Sequence, residues 1–228
     1  KTLKTLKTLK TSKTSQTSKT SKTSKPSKTS ETTKIEVNFE HLTFYEQLYF
    51  YQAHVWFNKI VQNFPNVYKH SLAWVKLFQE TPEMIVKQPV HYIKGYRNLL
   101  GALFQLKYYS KFCQVLAEVE ALSKDKNIVQ NLNTEVLVFQ FLYVSKINKY
   151  FMEGNFAEGV KIIPELLEKL ELYKSMLDPE RVLIIYYKIA SLYFGNGNYR
   201  KAIYYLNQII HFQVNWWLNV VMSILQHF

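Results

Sequence analysis

The sequence predicts an all-α protein built from stacked antiparallel helix pairs, an α-solenoid, preceded by a disordered N-terminal tail. Three observations lead to this prediction. Apolar residues recur with helical spacing from Phe39 onward, prolines and glycines stand where helices should begin or end, and one sequence pattern returns after 43 residues.

Residues 1–34 have a composition of their own. They form a three-residue repeat of Lys, Thr and Leu or Ser, with ten lysines against one acid and a net charge of +9. Such a segment has too little apolar surface to offset its conformational entropy, so we expect it to be disordered. It is interpreted as a solvated linker or a translated short repeat. The alternative is a polyanion-binding arm whose lysines neutralise phosphates.

Residues 35–228 form the predicted helical-repeat domain. They hold nineteen basic against sixteen acidic residues, and all 36 aromatic residues of the chain lie after position 38. Because this body is nearly neutral, we expect nucleic acid to bind only through the tail. The single cysteine, Cys113, excludes an internal disulfide and fits a reducing compartment, so we expect a cytoplasmic protein in which Cys113 is an inert core thiol.

Helix boundaries follow from the breaking residues. Apolar spacing predicts a first helix that ends near Asn63 and a second over residues 66–79. Thr81-Pro82 and Asp178-Pro179 each pair a capping side chain with proline at the first helical position, which is a start signal. The predicted apolar face of the first helix consists of Phe44, Leu48, Tyr51, Val55 and Ile60.

The repeat relates residues 143–166 to residues 186–209 without a gap, and each copy reads as a helix, a short bend and a second helix. Repeat-like units therefore cover about 94–120, 143–170 and 182–212, the first being a fainter copy at an offset of 47 with Lys107 at the bend. The structural repeat positions are Tyr143, Tyr150, Gly154, Phe156 and Gly159 in one strong copy, and Tyr186, Ala190, Tyr193, Gly197, Tyr199 and Ala202 in the other.

Gly195-Asn196-Gly197 also raises the alternative of a phosphate-binding loop. A dinucleotide fingerprint needs a preceding strand, a third glycine and a later acidic residue. Here a helical run precedes Gly195 and no third glycine follows Gly197. The segment is interpreted as the bend between two helices, where a residue without Cβ adopts the required backbone conformation at little cost.

At these positions the chain resembles the tetratricopeptide repeat (TPR) family, of which it would be a truncated or fragmentary member, since it starts without methionine. The resemblance is good over about 143–212, weaker over 94–120, and limited to general helix-pair character over 39–80. Ile147 departs from the family's small residue, and the offsets of 43 and 47 exceed the family's usual 34. Another α-solenoid, such as HEAT-like pairs, therefore stays open.

The resemblance implies a function. First helices of the pairs would line a concave groove that binds a peptide or helix of an unknown protein partner, as in a non-catalytic scaffold or adaptor. The groove residues that it implies are Arg97, Phe104, Asn148, Phe151, Tyr187, Ser191 and Phe194. The alternative is a regulatory or nucleic-acid-binding protein that uses the basic tail, with the helical body as a sensor or dimerisation domain.

Motifs of catalysis and of metal binding are missing from the sequence. No two of the six histidines have the i, i+4 spacing of a helical zinc site, and no Gly-x-Ser-x-Gly or Walker motif occurs. The Glu165, Glu168 and Glu171 face alternates with leucines, as on a solvated helix. We therefore expect no enzyme activity, no metal and no cofactor.

The carboxyl-terminal segment is apolar without being a predicted membrane span. Residues 203–228 contain no Asp, Glu, Lys or Arg, but amides and histidine interrupt the run. We expect no membrane association. We expect instead that this end packs back on the preceding pair or self-associates through Trp216, Trp217, Val220, Val221, Ile224 and Leu225.

Overall fold

All regular secondary structure in the described part of the chain is helical. The computed structural model describes residues 41–225, and the side chains of residues 41–212. In chain order the α-helices are α1 Phe44–Ile60, α2 Phe64–Glu80, α3 Pro82–Lys87, α4 Pro89–Gln105, α5 Tyr109–Leu122, α6 Leu132–Glu153, α7 Phe156–Gly159, α8 Ile163–Tyr173, α9 Pro179–Gly195 and α10 Tyr199–Leu225. Short 3-10 turns, Val160–Ile162 and Lys174–Met176, follow α7 and α8.

The capping residues set several of these boundaries. Thr43 and Glu46 form a capping box at the start of α1, where the backbone N–H of Thr43 donates to Glu46 Oε2 at 2.8 Å. Helices α3 and α9 begin at Pro82 and Pro179 as predicted, but neither Thr81 nor Asp178 makes a side-chain capping bond. The fixed φ of proline therefore marks these two starts without a polar cap.

Two details of the first helix pair differ from the prediction. Helix α2 begins at Phe64 rather than at residue 66, because the side chain of Asn63 accepts from the backbone N–H of Asn66 and caps the helix there. Ile60, which was predicted to lie on the buried face of α1, is 79% exposed. Ile60 follows Leu48 by twelve residues and Val55 by five, which places it roughly 120–140° around the helix from these two buried side chains.

The helices pack in the order of the chain. Helix α1 contacts α2, α2 contacts α4, and α4 contacts both α5 and α6; further along, α6 contacts α7 and α9, and α9 contacts α10. The first helices of three successive pairs, α4, α6 and α9, therefore touch one another in sequence. The described residues belong to one compact unit.

Four bends between paired helices share one backbone geometry. At each bend one residue has a positive φ: Gln62 at 56°, Lys107 at 59°, Gly154 at 66° and Gly197 at 74°. That residue's N–H donates to the carbonyl three positions back, and the following N–H donates to the carbonyl five positions back, as in a Schellman motif. Asn155, for example, donates to Tyr150 at 3.1 Å and Asn198 donates to Tyr193 at 2.8 Å.

The same residue types recur at fixed distances from these bends. A tyrosine lies eleven positions before each positive-φ residue, and an aromatic residue that begins the second helix lies two positions after it. The tyrosines are Tyr51, Tyr96, Tyr143 and Tyr186, and the aromatics are Phe64, Tyr109, Phe156 and Tyr199. The first pair, over residues 44–80, thus has the same bend as the later ones, although its sequence showed only general helix-pair character.

Two clusters of buried side chains hold the pairs together. One includes Trp74, Phe78, Leu103 and Phe112 from α2, α4 and α5, and the other includes side chains of α6, α8 and α9 such as Ile147, Leu166 and Ile189. Burying one such side chain contributes about 1.5–3 kcal/mol relative to exposure. Because neither cluster is confined to one helix pair, the pairs depend on their neighbours for stability.

The apolar carboxyl-terminal segment belongs to helix α10. Helix α10 continues through Trp216, Trp217, Val220, Val221, Ile224 and Leu225, but these positions lie beyond the described side chains. That this end packs back on the preceding pair or self-associates stays a prediction. The tail, residues 1–34, also lies outside the described residues.

Candidate binding groove

The first helices of three pairs line a groove. A cavity of about 180 Å³ lies where α4, α6 and α9 meet, and it is lined by Arg97 and Gly101 of α4, Phe141 and Asn148 of α6, and Arg181 and Ile184 of α9. We call it the central groove. Two of the seven groove residues that were predicted from the sequence, Arg97 and Asn148, lie in it.

A second cavity lies toward the carboxyl ends of α6 and α9. It has a volume of about 440 Å³ and is lined mainly by apolar and aromatic side chains, among them Phe151, Tyr187, Phe194 and Leu206. Four predicted groove residues, Phe151, Tyr187, Ser191 and Phe194, line this apolar cleft. Tyr187 and Phe194 are 58% and 65% exposed, so these aromatic rings lie outside the core.

Lys188 links the central groove to the apolar cleft. Its Nζ donates to Asn148 Oδ1 at 2.7 Å, and it lies 5.4 Å and 5.5 Å from the ring centroids of Phe104 and Phe151. Phe104, the seventh predicted residue, lines neither cavity but contacts the same ammonium. The lysine of α9 therefore joins three of the predicted groove residues, from α4 and α6.

Burial makes Lys188 an unusual cation. Loss of solvent lowers the pKa of its ammonium below the ordinary lysine value, and the nearby charge of Lys107 lowers it further. The two rings supply cation–π attraction, which partly offsets the loss of hydration. The side-chain oxygen of Asn148 is neutral, so it accepts a hydrogen bond but does not balance the charge.

Arg97 and Lys59 repeat this arrangement at the amino-terminal side of the groove. The guanidinium of Arg97 lies 4.9 Å from the ring centroid of Phe141, and Lys59 of α1 donates to Asn98 Oδ1. Burial lowers the pKa of Arg97, with a further contribution from Arg181. Burial likewise lowers the pKa of Lys59, with a further contribution from Arg97. Like charges thus lie near one another along this face.

Carboxylates are missing from this set of cations. Among the described residues, the ion pairs join Lys146 to Glu120, Lys149 to Glu153, and three further lysines to glutamates within one helical turn or so. None of them includes Lys59, Arg97, Arg181 or Lys188. In the part of the chain that the structure describes, Lys59 and Lys188 donate to amide oxygens, and Arg97 and Lys188 lie against aromatic rings.

The sequence reasoning missed Lys188 and Asn98. Both occupy the position nine residues before the bend, as does Ser145, and Asn98 and Ser145 are only 8% and 6% exposed. A polar side chain that recurs at one buried position of successive helix pairs is a signal that could have found them. The groove residues predicted from the sequence all lie ten, six or three residues before a bend.

Within residues 41–225, no group of three His, Cys, Asp or Glu side chains is placed to hold a metal ion. No helix of this part is both long and apolar enough to cross a membrane. Glu165, Glu168 and Glu171 are exposed on α8, away from both cavities.

Comparison of the chain with family models, with curated proteins and with solved structures finds no match. A functional proposal for this chain therefore depends on its own geometry.

Proposed function

We propose that this protein is a non-catalytic interaction module of the tetratricopeptide type, an adaptor that binds a segment of another protein along the first helices of its pairs. The observation that supports the proposal most is the pair of cavities along α9. The central groove combines two arginines and two amide side chains with apolar ones, and the neighbouring apolar cleft presents exposed aromatic rings, which together match the needs of an extended peptide or a helix.

The repeated geometry supports the same proposal. Four bends of one type, each preceded by a tyrosine at the same distance, are typical of a helical-repeat array, and such arrays bind ligands on the face formed by their first helices. Tyrosine and phenylalanine offer rigid contact area at a low cost in conformational entropy. The exposed rings of Tyr187 and Phe194 would be the principal contacts of the ligand.

The proposal is tested with the full chain and a phage-displayed library of random dodecapeptides. We expect selected peptides to bind the wild type and to lose at least tenfold in affinity on Phe194→Ala, since buried aromatic contacts contribute about 2 kcal/mol or more. Phe57→Ala is the matched control, because Phe57 is 61% exposed but lies on α1 and lines neither cavity. Equal binding by both variants would place the peptide elsewhere and contradict the proposal.

A further inference from the structure

We propose that the groove is selective for acidic segments, with Asp or Glu side chains of the ligand pairing with Arg97, Arg181 and Lys188 while an apolar side chain enters the neighbouring cleft. This inference rests on the proposed function, since it names the class of peptide that the same groove takes.

The first step is the number of cations that converge on one face. Arg97 of α4 and Arg181 of α9 line the central groove, and Lys59 of α1 lies beside Arg97. Lys188 of α9 lies behind this lining and donates to Asn148, which is part of it. Like charges repel, so a protein gains nothing in stability by bringing them together. Such an arrangement is typical of a site whose ligand supplies the opposite charge.

The second step is that no carboxylate among the described residues forms an ion pair with these cations. Asn148 and Asn98 supply neutral oxygen acceptors, and Phe104, Phe151 and Phe141 supply ring faces, but none of these carries a negative charge. A buried cation is stabilised most by a carboxylate, because charge-assisted hydrogen bonds are roughly twice as strong as neutral ones. Solvent is partly excluded here, so each new ion pair is stronger than on an open surface.

The third step concerns the kind of anion. Nucleic-acid backbones are bound by many exposed Lys and Arg side chains spread along a surface. Here the cations are half-buried, Lys188 lies between two phenylalanine rings, and the adjoining 440 Å³ cleft is lined by apolar side chains. A peptide can place a carboxylate and an apolar side chain within a few residues of each other, whereas a phosphate backbone has no such apolar group.

The spacing along α9 indicates the length of the recognised segment. Along the axis of this helix, which rises 1.5 Å per residue, roughly 20 Å separates Arg181 from Phe194. Arg181 and Lys188 share one face of the helix, and Phe194 lies about 140° around it from Arg181. An extended peptide covers that axial distance in about six residues. It covers the roughly 10 Å between Arg181 and Lys188 in about three residues. We therefore expect two acidic residues about three positions apart, followed by an apolar residue.

The test compares peptide selections on the full chain and on three variants. Arg97→Gln and Lys188→Gln each remove one groove charge while keeping a polar side chain, and Lys94→Gln removes an exposed charge from α4. Peptides are displayed without a free carboxyl terminus, so any acid that is selected is a side chain. Circular dichroism and thermal unfolding verify that every variant is folded.

We expect peptides selected on the wild type and on Lys94→Gln to be enriched in Asp and Glu, and this enrichment to disappear on Arg97→Gln and Lys188→Gln. A synthetic copy of a selected peptide should bind at least tenfold more weakly when its acids are replaced by their amides, and more weakly at high salt.

Two results would overturn the inference while leaving the proposed function intact: groove-binding peptides without acidic enrichment, or acidic peptides that bind both groove variants as tightly as the wild type. A third result would assign the groove to nucleic acid: no acidic peptide is selected, and a poly(U) RNA probe is retained in a manner that depends on Arg97 and Lys188. That result would overturn both the inference and the proposed function. Selection of no peptide that depends on Phe194 would contradict the proposed function itself.

Discussion

Gly195, the last residue of α9, packs against the ring of Phe156, the first residue of α7. A Cβ built on Gly195 would lie 2.5 Å from Cδ1 of Phe156, closer than real Cβ contacts come. Phe156 also makes an edge contact with Phe151, at 5.4 Å between ring centroids. The end of the first helix of one pair is thus fitted against the bend of the pair before it.

This contact leads to a first prediction. Gly195→Ala forces the Phe156 ring to move, and we expect it to lower the free energy of unfolding by about 1–3 kcal/mol, as overpacking does. Gly101→Ala is the matched control: Gly101 lies inside α4 with nothing within 4 Å of its Cβ position, so alanine there should stabilise by about 0.5–1 kcal/mol. Urea unfolding followed by circular dichroism measures the free energy of unfolding of both variants. If Gly101→Ala lost as much stability as Gly195→Ala, the close packing of Gly195 on Phe156 would not explain the loss.

The bends give a second prediction. Gly154 and Gly197 have positive φ with no atom within 4 Å of a Cβ position, so alanine at either costs only backbone strain, roughly 1–2 kcal/mol. Gln62 already has this conformation, at a φ of 56°, with a side chain. Gln62→Gly should therefore raise the free energy of unfolding, whereas Gly154→Ala and Gly197→Ala should lower it. Urea midpoints that move in the same direction for all three variants would contradict the shared bend geometry.

The tyrosine eleven residues before each bend gives a third prediction. Tyr96 donates its hydroxyl to Glu118 Oε2 at 2.9 Å and is 3% exposed, so Tyr96→Phe leaves a half-buried carboxylate oxygen without its donor. We expect a loss of about 1–3 kcal/mol. Tyr186 occupies the equivalent position and packs on Tyr205 at 5.9 Å between centroids, without a hydroxyl hydrogen bond among the described contacts. Tyr186→Phe should therefore change stability by less than about 0.5 kcal/mol in the same unfolding measurement.

A stacked histidine pair gives a fourth prediction, on pH. The rings of His54 in α1 and His70 in α2 lie 4.5 Å apart at 17°. Burial lowers the pKa of His70, and the nearby charges of His54 and Lys69 lower it further. Between the lowered pKa of the folded state and the ordinary histidine pKa of about 6.5, the unfolded chain then binds more protons than the folded one. Stability should be complete above that pH and should fall as the pH falls.

His70→Gln should flatten this pH dependence of the urea midpoint. It should not abolish it, because burial and Lys94 also lower the pKa of His91. His211→Gln, at an exposed position on α10, should keep the wild-type profile. An unchanged slope in His70→Gln would show that the stacked pair does not couple protonation to folding.

The helical class and most helix pairs were readable from the sequence because apolar spacing and proline positions are local signals. Pro82 and Pro179 begin their helices as predicted. The bend at Gln62 was not readable in the same way, since the expected marker of a left-handed residue is glycine, and here the surrounding helix pair imposes the conformation on a residue with a side chain.

The charge of the groove is not visible within any single helix of the sequence, although comparison of successive pairs marks the position of Lys188. A lysine on a helix is ordinarily solvated, and nothing local distinguishes Lys188 from Lys201. Lys188 is buried by Phe104 and Phe151, which belong to two preceding helix pairs. Burial of this kind depends on how the pairs stack, and a pattern within one helix does not contain that information.

The fixed distances around each bend also affect where the chain could gain or lose residues. From the tyrosine to the buried position five residues after the bend, the four segments 51–67, 96–112, 143–159 and 186–202 have equal length, and only the stretches between them differ. We therefore expect insertions and deletions to be tolerated at the joints more readily than within the segments. A duplication cut at two joints would add one whole unit without shifting any helix against its partner, so an array of this kind can lengthen by copying.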